Sequence, residues 1–164
     1  MALVAAGVVA KKILPAEVRF RTHLTEIGGC TDPERFDEVL ADAAATHDSV
    51  GGIVECCAEG VPVCLGEPFF DSAESLIAHL LFAIPAVKGV EFGSGFAAAR
   101  HRGSENNDPI LDAEGRTATN HDGGINGGIT NGNPLVVRAA LKPTPSIGRP
   151  QMTYNRATGR VELS

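Results

Sequence analysis

The chain has 164 residues, of which 43% are hydrophobic and 21% charged, a composition that fits one soluble domain burying about two thirds of its unfolded surface in a substantial core. No apolar run approaches the roughly 20 residues of a membrane span. The opening MALVAAGVVAKKIL lacks the basic start and cleavage site of a secretory leader, so a cytoplasmic location is expected. The net charge, 14 − 20 = −6, argues against a general nucleic-acid binder, which needs a basic face.

That total hides an asymmetry. Residues 1–91 carry 6 bases and 14 acids (6 − 14 = −8), whereas residues 92–164 carry 8 bases and 6 acids (8 − 6 = +2), seven of those bases being arginine. An anion site is therefore expected in the second half, because the arginine fork suits phosphate and carboxylate; solvated surface arginines fit the same numbers. The four cysteines, Cys30, Cys56, Cys57 and Cys64, form no CxxC pair. They imply neither a disulfide framework nor a zinc site, and are expected to be reduced and mostly buried.

Taken in chain order, residues 2–14 read as an uncapped helix stopped by Pro15. Val18, Phe20, Thr22 and Leu24 then alternate with Arg19, Arg21 and His23, the period of a strand with one buried face, ended by Gly28 and Gly29. Thr31-Asp32-Pro33-Glu34 is a helix start with a capping residue, an early proline and acids near the positive end of the dipole. Phe36, Val39, Leu40 and Ala43 continue it at helical spacing. Residues 49–58 suit a strand, and Asp71 with Glu74 opens a helix that Pro85 closes. From Gly89 the texture changes: residues 93–133 are rich in glycine and poor in large apolar side chains, which predicts a long loop, functional or disordered. Leu135, Val137, Ala139 and Leu141 alternate as a strand, and residues 151–163 read as a hairpin turning at Ala157-Thr158-Gly159. Strands and helices do not alternate as βαβ units, so the fold class is α+β with antiparallel sheet, in a single domain spanning residues 1–164.

The chemistry concentrates in residues 120–147. Glycines at 123, 124, 127, 128 and 132 let a backbone approach a ligand and let successive N–H groups face one concavity, as phosphate or a flavin edge requires. The strand that follows them excludes both Rossmann and P-loop readings. A flexible linker and a binding loop fit this composition equally. Lys142-Pro143-Thr144-Pro145-Ser146 favours the second: two prolines freeze an ammonium and two hydroxyls just past a strand. A stiff strand exit with a surface lysine is the competing explanation.

The strings AAGVVAKKIL, GVPVCLGEP, IPAVKGVEFGSGF, NHDGGINGGITNG and RAALKPTPSI, in this order and with similar gaps, resemble the chorismate synthase family over essentially the whole chain. The resemblance implies a β-α-β sandwich, with antiparallel sheets on either side of a helical layer, and a homotetramer. It also implies the family's reaction, conversion of 5-enolpyruvylshikimate-3-phosphate to chorismate and phosphate by anti-1,4-elimination with reduced FMN, and an association with NADPH. Family flavin contacts fall on Pro85, Ala86, Gly127, Lys142, Pro143, Thr144, Pro145 and Ser146.

By the same resemblance the chain corresponds to the middle of longer family members. Their Ser-His-Gly motif, substrate-gripping arginines, second catalytic histidine and Gly-Arg-His-Asp-Pro motif have no counterpart in it. No catalytic acid or base is therefore assigned and little turnover is expected of the chain alone, the alternative being a non-catalytic flavin-binding or assembly module. His23, His47, His79, His101 and His121 do not occupy the family's catalytic positions and show no metal-ligand spacing. Of these only His121, beside the glycine loop, invites a role. Asp122 and Asn126 could orient polar groups of the loop or of a ligand, but read more readily as turn residues bonding their own backbone, and Cys64 reads as a small packed residue.

Overall fold

The computed structural model describes residues 2–163. The first helix, α1 (Ala2–Ile13), ends with Lys11 and Lys12 at the negative end of its dipole. Strand β1 (Arg19–Ile27) follows. Asp32 then accepts a hydrogen bond from the Glu34 amide at 3.1 Å, but the proline it caps begins a 3₁₀ turn over Pro33–Arg35. The α-helix proper, α2, runs from Phe36 to Ala45. Strand β2 (Gly52–Glu59) leads by a long turn to α3 (Ala73–Phe82). The cap of α3 is Ser72, whose hydroxyl accepts from the Ser75 amide at 3.1 Å; Asp71 lies one residue too early to cap it.

Strand β3 (Val87–Phe92) is the one large element the sequence pattern does not announce. Its two halves, Val-Lys and Val-Glu-Phe, are split by Gly89, where the pairing register also shifts. The glycine-rich region folds tightly: a 3₁₀ segment (Gly95–Arg100), a one-turn helix α4 (Gly103–Asn106), and a two-residue hairpin of β4 (Ile125–Asn126) and β5 (Ile129–Thr130). Strand β6 (Leu135–Leu141) and the hairpin of β7 (Met152–Asn155) and β8 (Arg160–Leu163) complete the chain.

The main sheet has the order β1-β2-β6-β3, antiparallel throughout, so the last of its strands in sequence lies inside it. One face carries the core: Ala58, Ala73, Ile125, Leu135 and Val137, with Cys56, Ile77, Leu81, Val90 and Phe92 packed around them. Helix α3 supplies Ala73, Ile77 and Leu81 at helical spacing and so covers this face. The α+β class expected from the pattern is the class observed.

Burial is thinner than the composition suggests. The core is made of small aliphatics, and among the described residues no large side chain is fully buried. Phe20 and Leu24, expected to face inward, are exposed, and α1 buries none of its residues. The cysteines also depart from expectation: Cys30, Cys56 and Cys57 are half-buried and Cys64 is exposed.

Across the opposite face runs a straight charged row. His23 pairs with Glu55, Glu55 with Arg138, and Arg138 with Glu91, each directly opposite the next on β1, β2, β6 and β3. The Arg138 guanidinium donates to Glu91 at 2.6 Å, to Glu55 at 2.9 Å and to the Gly93 carbonyl. Burial works against the Glu91 anion, yet the hydrogen bonds from Arg138 and the Phe96 amide prevail and hold its pKa below the usual value. The stabilisation that this ionisation supplies is thus present above the ordinary carboxylate range and is lost as pH falls through the lowered folded value. Arg138→Met leaves two half-buried carboxylates uncompensated. It is expected to cost about 1–3 kcal/mol in urea unfolding at neutral pH and to flatten the acid-range loss; equal stability of both proteins at every pH contradicts this.

Candidate flavin corner

Strand β6 leaves the sheet beside the turn that follows α3. Pro85 and Ala86 make that turn, with Ala86 at φ 74°, and Val87 then pairs with Leu141. The next residue, Lys142, donates its amide hydrogen to the Ala86 carbonyl at 2.9 Å. One backbone hydrogen bond therefore joins the Pro85-Ala86 turn to the Lys142–Ser146 segment, two stretches far apart in sequence.

The segment is tied down on its other side as well. The Ser49 hydroxyl donates to the Thr144 carbonyl at 2.7 Å, the Gly148 amide to the His47 carbonyl at 3.0 Å, and Arg149 to Asp48 at 2.7 Å. The Ser49 amide, with help from Arg149, keeps the Asp48 carboxyl below its ordinary pKa. Close approach also fixes a residue type: a Cβ at Gly51 would lie 2.5 Å from the Leu141 carbonyl oxygen and 3.2 Å from Pro143 Cδ. Glycine is required there for the strap to lie flat on the β2 end. Beside it opens a cavity of about 280 Å³ floored by Gly28, Gly29, Gly51 and Gly52, with Glu26 and Leu141 at its edges.

The backbone of Lys142–Ser146 is thus held, while its side chains stand exposed. Among the described residues the Lys142 ammonium and the Thr144 and Ser146 hydroxyls engage no protein partner. A cation and two hydroxyls on a proline-stiffened strap suit a phosphorylated or polyhydroxylated ligand. In this respect the residues present fit a flavin mononucleotide.

Gly127 lies elsewhere. It forms the tip of the β4–β5 hairpin at φ 57°, and a Cβ there would meet nothing within 4 Å. Its neighbour Gly128 accepts from the Ala73 amide at 2.8 Å, which fixes the tip at the amino-terminal end of α3. Ala86 sits beyond the carboxy-terminal end of that ten-residue helix, about 15 Å long, so the two places lie toward opposite ends of α3. The structure brings Pro85 and Ala86 to Lys142–Ser146 and does not bring Gly127 to them.

Around the hairpin base, sequence reasoning missed Asp108. Its carboxylate accepts the amides of His121 at 2.8 Å and Asp122 at 3.0 Å and the Thr119 hydroxyl at 2.7 Å. Burial opposes its ionisation, but these donors outweigh it and the pKa lies below the usual value. A lone Asp thirteen residues upstream of a loop carries no motif that reveals this clamp. Asp122 and Asn126, read as turn residues bonding their own backbone, instead bond each other: the Asn126 amide donates to Asp122 at 2.5 Å. Asn126 in turn accepts from Asn131 at 2.6 Å, and Asn131 from Asn133 at 3.1 Å. These amides line part of a cavity of about 720 Å³.

His121 stands beside the Asp108 clamp. Its Nδ1 is buried without a partner and its ring stands 5.4 Å from that of His101. His79 is exposed on α3, His23 lies 3.6 Å from Glu55, and among the described residues no His, Cys, Asp and Glu group could hold a metal. Cys64, expected to pack, is exposed at φ 65°. Asp108→Asn replaces one acceptor oxygen with a donor, so amide exchange at His121 and Asp122 should accelerate at neutral pH. In the wild type the protection should fade only as pH falls through the lowered carboxyl value; exchange unchanged by the substitution removes the clamp from the account.

Comparison with known proteins agrees with this architecture. The family model described as chorismate synthase matches residues 1–164. A chorismate synthase of Chitinophaga pinensis is 61% identical over 160 residues, covering 98% of this chain and 47% of the relative. One of Dehalococcoides mccartyi is 48% identical over 158 residues, covering 93% and 43%. A solved structure titled "Crystal Structure of Chorismate Synthase" superposes with a TM-score of 0.80 at 32% identity, covering 88% of this chain and 55% of that one. The chain spans about half the length of the curated relatives it matches. By fold, by family model and by identity across its length, this chain belongs to the chorismate synthase family.

Proposed function

We propose that the chain carries the flavin corner of a chorismate synthase, the lyase that converts 5-enolpyruvylshikimate-3-phosphate to chorismate and phosphate by anti-1,4-elimination in aromatic amino acid biosynthesis. The observation that carries the reading is the Lys142 to Ala86 backbone hydrogen bond, which unites the two segments on which family flavin contacts fall. Lys142, Thr144 and Ser146 would hold reduced FMN by charge and hydroxyl donation. Pro143 and Pro145 restrict their backbone, and Pro85 and Ala86 close the second wall. Gly127 would meet the far end of an elongated ligand, its backbone being open to approach.

Held by Lys142, Thr144 and Ser146, a reduced flavin would supply electron density to the elimination. The chain's own part in that chemistry is positional. It fixes an ammonium against an anionic ligand before the ligand arrives, so less ordering is needed on binding. The acid and base roles are not proposed for the side chains of the corner. Groups outside the chain would supply those roles, in a cytoplasmic homotetramer with NADPH as a source of reducing equivalents.

Titration of the chain with FMN, followed by quenching of flavin fluorescence, tests this reading. Saturable binding is expected, weakened about tenfold or more by Lys142→Ala, which removes a charge-assisted contact. Binding indifferent to Lys142→Ala and Ser146→Ala together, or no binding, contradicts it. Binding without turnover of the enolpyruvyl substrate would identify a flavin-binding module.

A further inference from the structure

We propose that Ser49 is a positioning residue for flavin binding: delivered by the end of α2, it holds the Lys142–Ser146 strap in its binding shape through a hydrogen bond to the Thr144 carbonyl. The proposal rests on the reading of the strap as a flavin site and adds to it a residue outside the family contacts, with the clamp that carries that residue.

The strap has little means of holding itself. Pro143 and Pro145 have no amide hydrogen, so the segment cannot continue the ladder that β6 has just left. Its entry is fixed by the Lys142 amide on the Ala86 carbonyl and its exit by the Gly148 amide on the His47 carbonyl. Among the described residues, the Thr144 carbonyl is the one polar group of residues 143–147 with a protein partner, and that partner is the Ser49 hydroxyl at 2.7 Å. The bond grips the strap between its two prolines, midway in sequence between Lys142 and Ser146. Whether the ammonium and the hydroxyls stand in one arrangement before a ligand arrives therefore depends on it.

The rigidity of the clamp begins in α2. At the end of that helix the His47 amide donates to the Ala44 carbonyl at 3.1 Å and the Asp48 amide to the Ala43 carbonyl at 2.9 Å, with His47 at φ 54°. Such a pair of bonds around a left-handed residue is a Schellman closure, in which glycine usually takes the left-handed place. A histidine there is strained and persists only where its surroundings fix it. The closure turns three consecutive residues onto the strap: the His47 carbonyl receives the Gly148 amide at 3.0 Å, Asp48 receives Arg149 at 2.7 Å, and Ser49 donates to Thr144. Asp48 also accepts the Ser49 amide at 2.8 Å, so the serine is itself held before it reaches the strap. A strap ordered in advance loses less freedom on binding, and that saving is read as affinity.

Backbone order parameters from NMR relaxation and FMN titration followed by flavin fluorescence, on the same variants, test the proposal, with far-UV circular dichroism showing that each stays folded. Without FMN, Ser49→Ala should lower the order parameters of Thr144 and Ser146 and leave those of β6 unchanged. Its FMN dissociation constant should rise about three- to tenfold, the worth of one hydrogen bond, and Ser49→Thr, which keeps the hydroxyl, should bind as wild type. In a Lys142→Ala background the effect of Ser49→Ala should shrink, because Ser49 acts through the group that has been removed. Asp48→Ala separates charge from position: loss of an acid by itself favours an anionic ligand, yet loss of the clamp should weaken FMN binding, a result readable even if Ser49→Ala misfolds. Equal affinity or equal strap order in wild type and Ser49→Ala, a loss that Ser49→Thr does not restore, losses additive with Lys142→Ala, or unchanged or tighter binding in Asp48→Ala overturns the proposal. FMN binding that depends on Lys142 and not on Ser49 removes this proposal alone, whereas a wild-type chain that binds no FMN removes the flavin reading and this proposal with it.

Discussion

The antiparallel pairing of β6 with both β2 and β3 is the constraint on which the rest of the molecule depends. Every residue from Leu135 to Leu141 lies opposite a residue of β2, and Val137 to Leu141 lie opposite β3 as well. A strand paired on both sides has its backbone donors and acceptors satisfied within the sheet. Arg138 reinforces the pairing midway by bridging to carboxylates on both neighbours. Whatever leaves either end of β6 is therefore held by one of the two inner strands of the sheet.

Both ends carry the sequence's distinctive chemistry. At one, Gly123 and Gly124 pass so close to β6 and its entry that a Cβ would lie 3.0 Å from the Val136 carbonyl oxygen and 2.6 Å from that of Pro134. At the other, Lys142 bonds to Ala86 and Gly51 admits the strap. Glycine serves different ends in these places. At 51, 123 and 124 it permits backbone to meet backbone, whereas at 127 it leaves the chain open on its outer side. The glycine-rich region is thus neither a linker nor one cradle; its packed parts hold the sheet and its tip stays accessible.

Much of this was legible in the residues. Leu135, Val137, Ala139 and Leu141 announced β6 by alternation, and the turn at residues 157–159 announced the final hairpin. Lys142–Ser146 stood out because two prolines around hydroxyls and a cation have few uses in a surface loop. The failures have physical causes. Strand β3 is interrupted by Gly89 and follows a proline, so its short apolar halves read as loop. The alternation of β1 implied a buried face, but burial depends on what lies against a strand, and Phe20 and Leu24 remain exposed. The Asp108 clamp acts through backbone amides, which any residue supplies, so composition could not signal it. The separation of Gly127 from Lys142 follows from the length of α3 and β6, and nearness in sequence concealed it.

The account stands on the corner where the Pro85-Ala86 turn meets the strap after β6. Hydrogen exchange of the chain with and without FMN, resolved by peptide, tests it most directly. Slower exchange over residues 84–88 and 141–148 on adding FMN is the predicted result. Unchanged exchange in both stretches, or protection confined to residues 120–133, would contradict the claim that this corner holds the flavin.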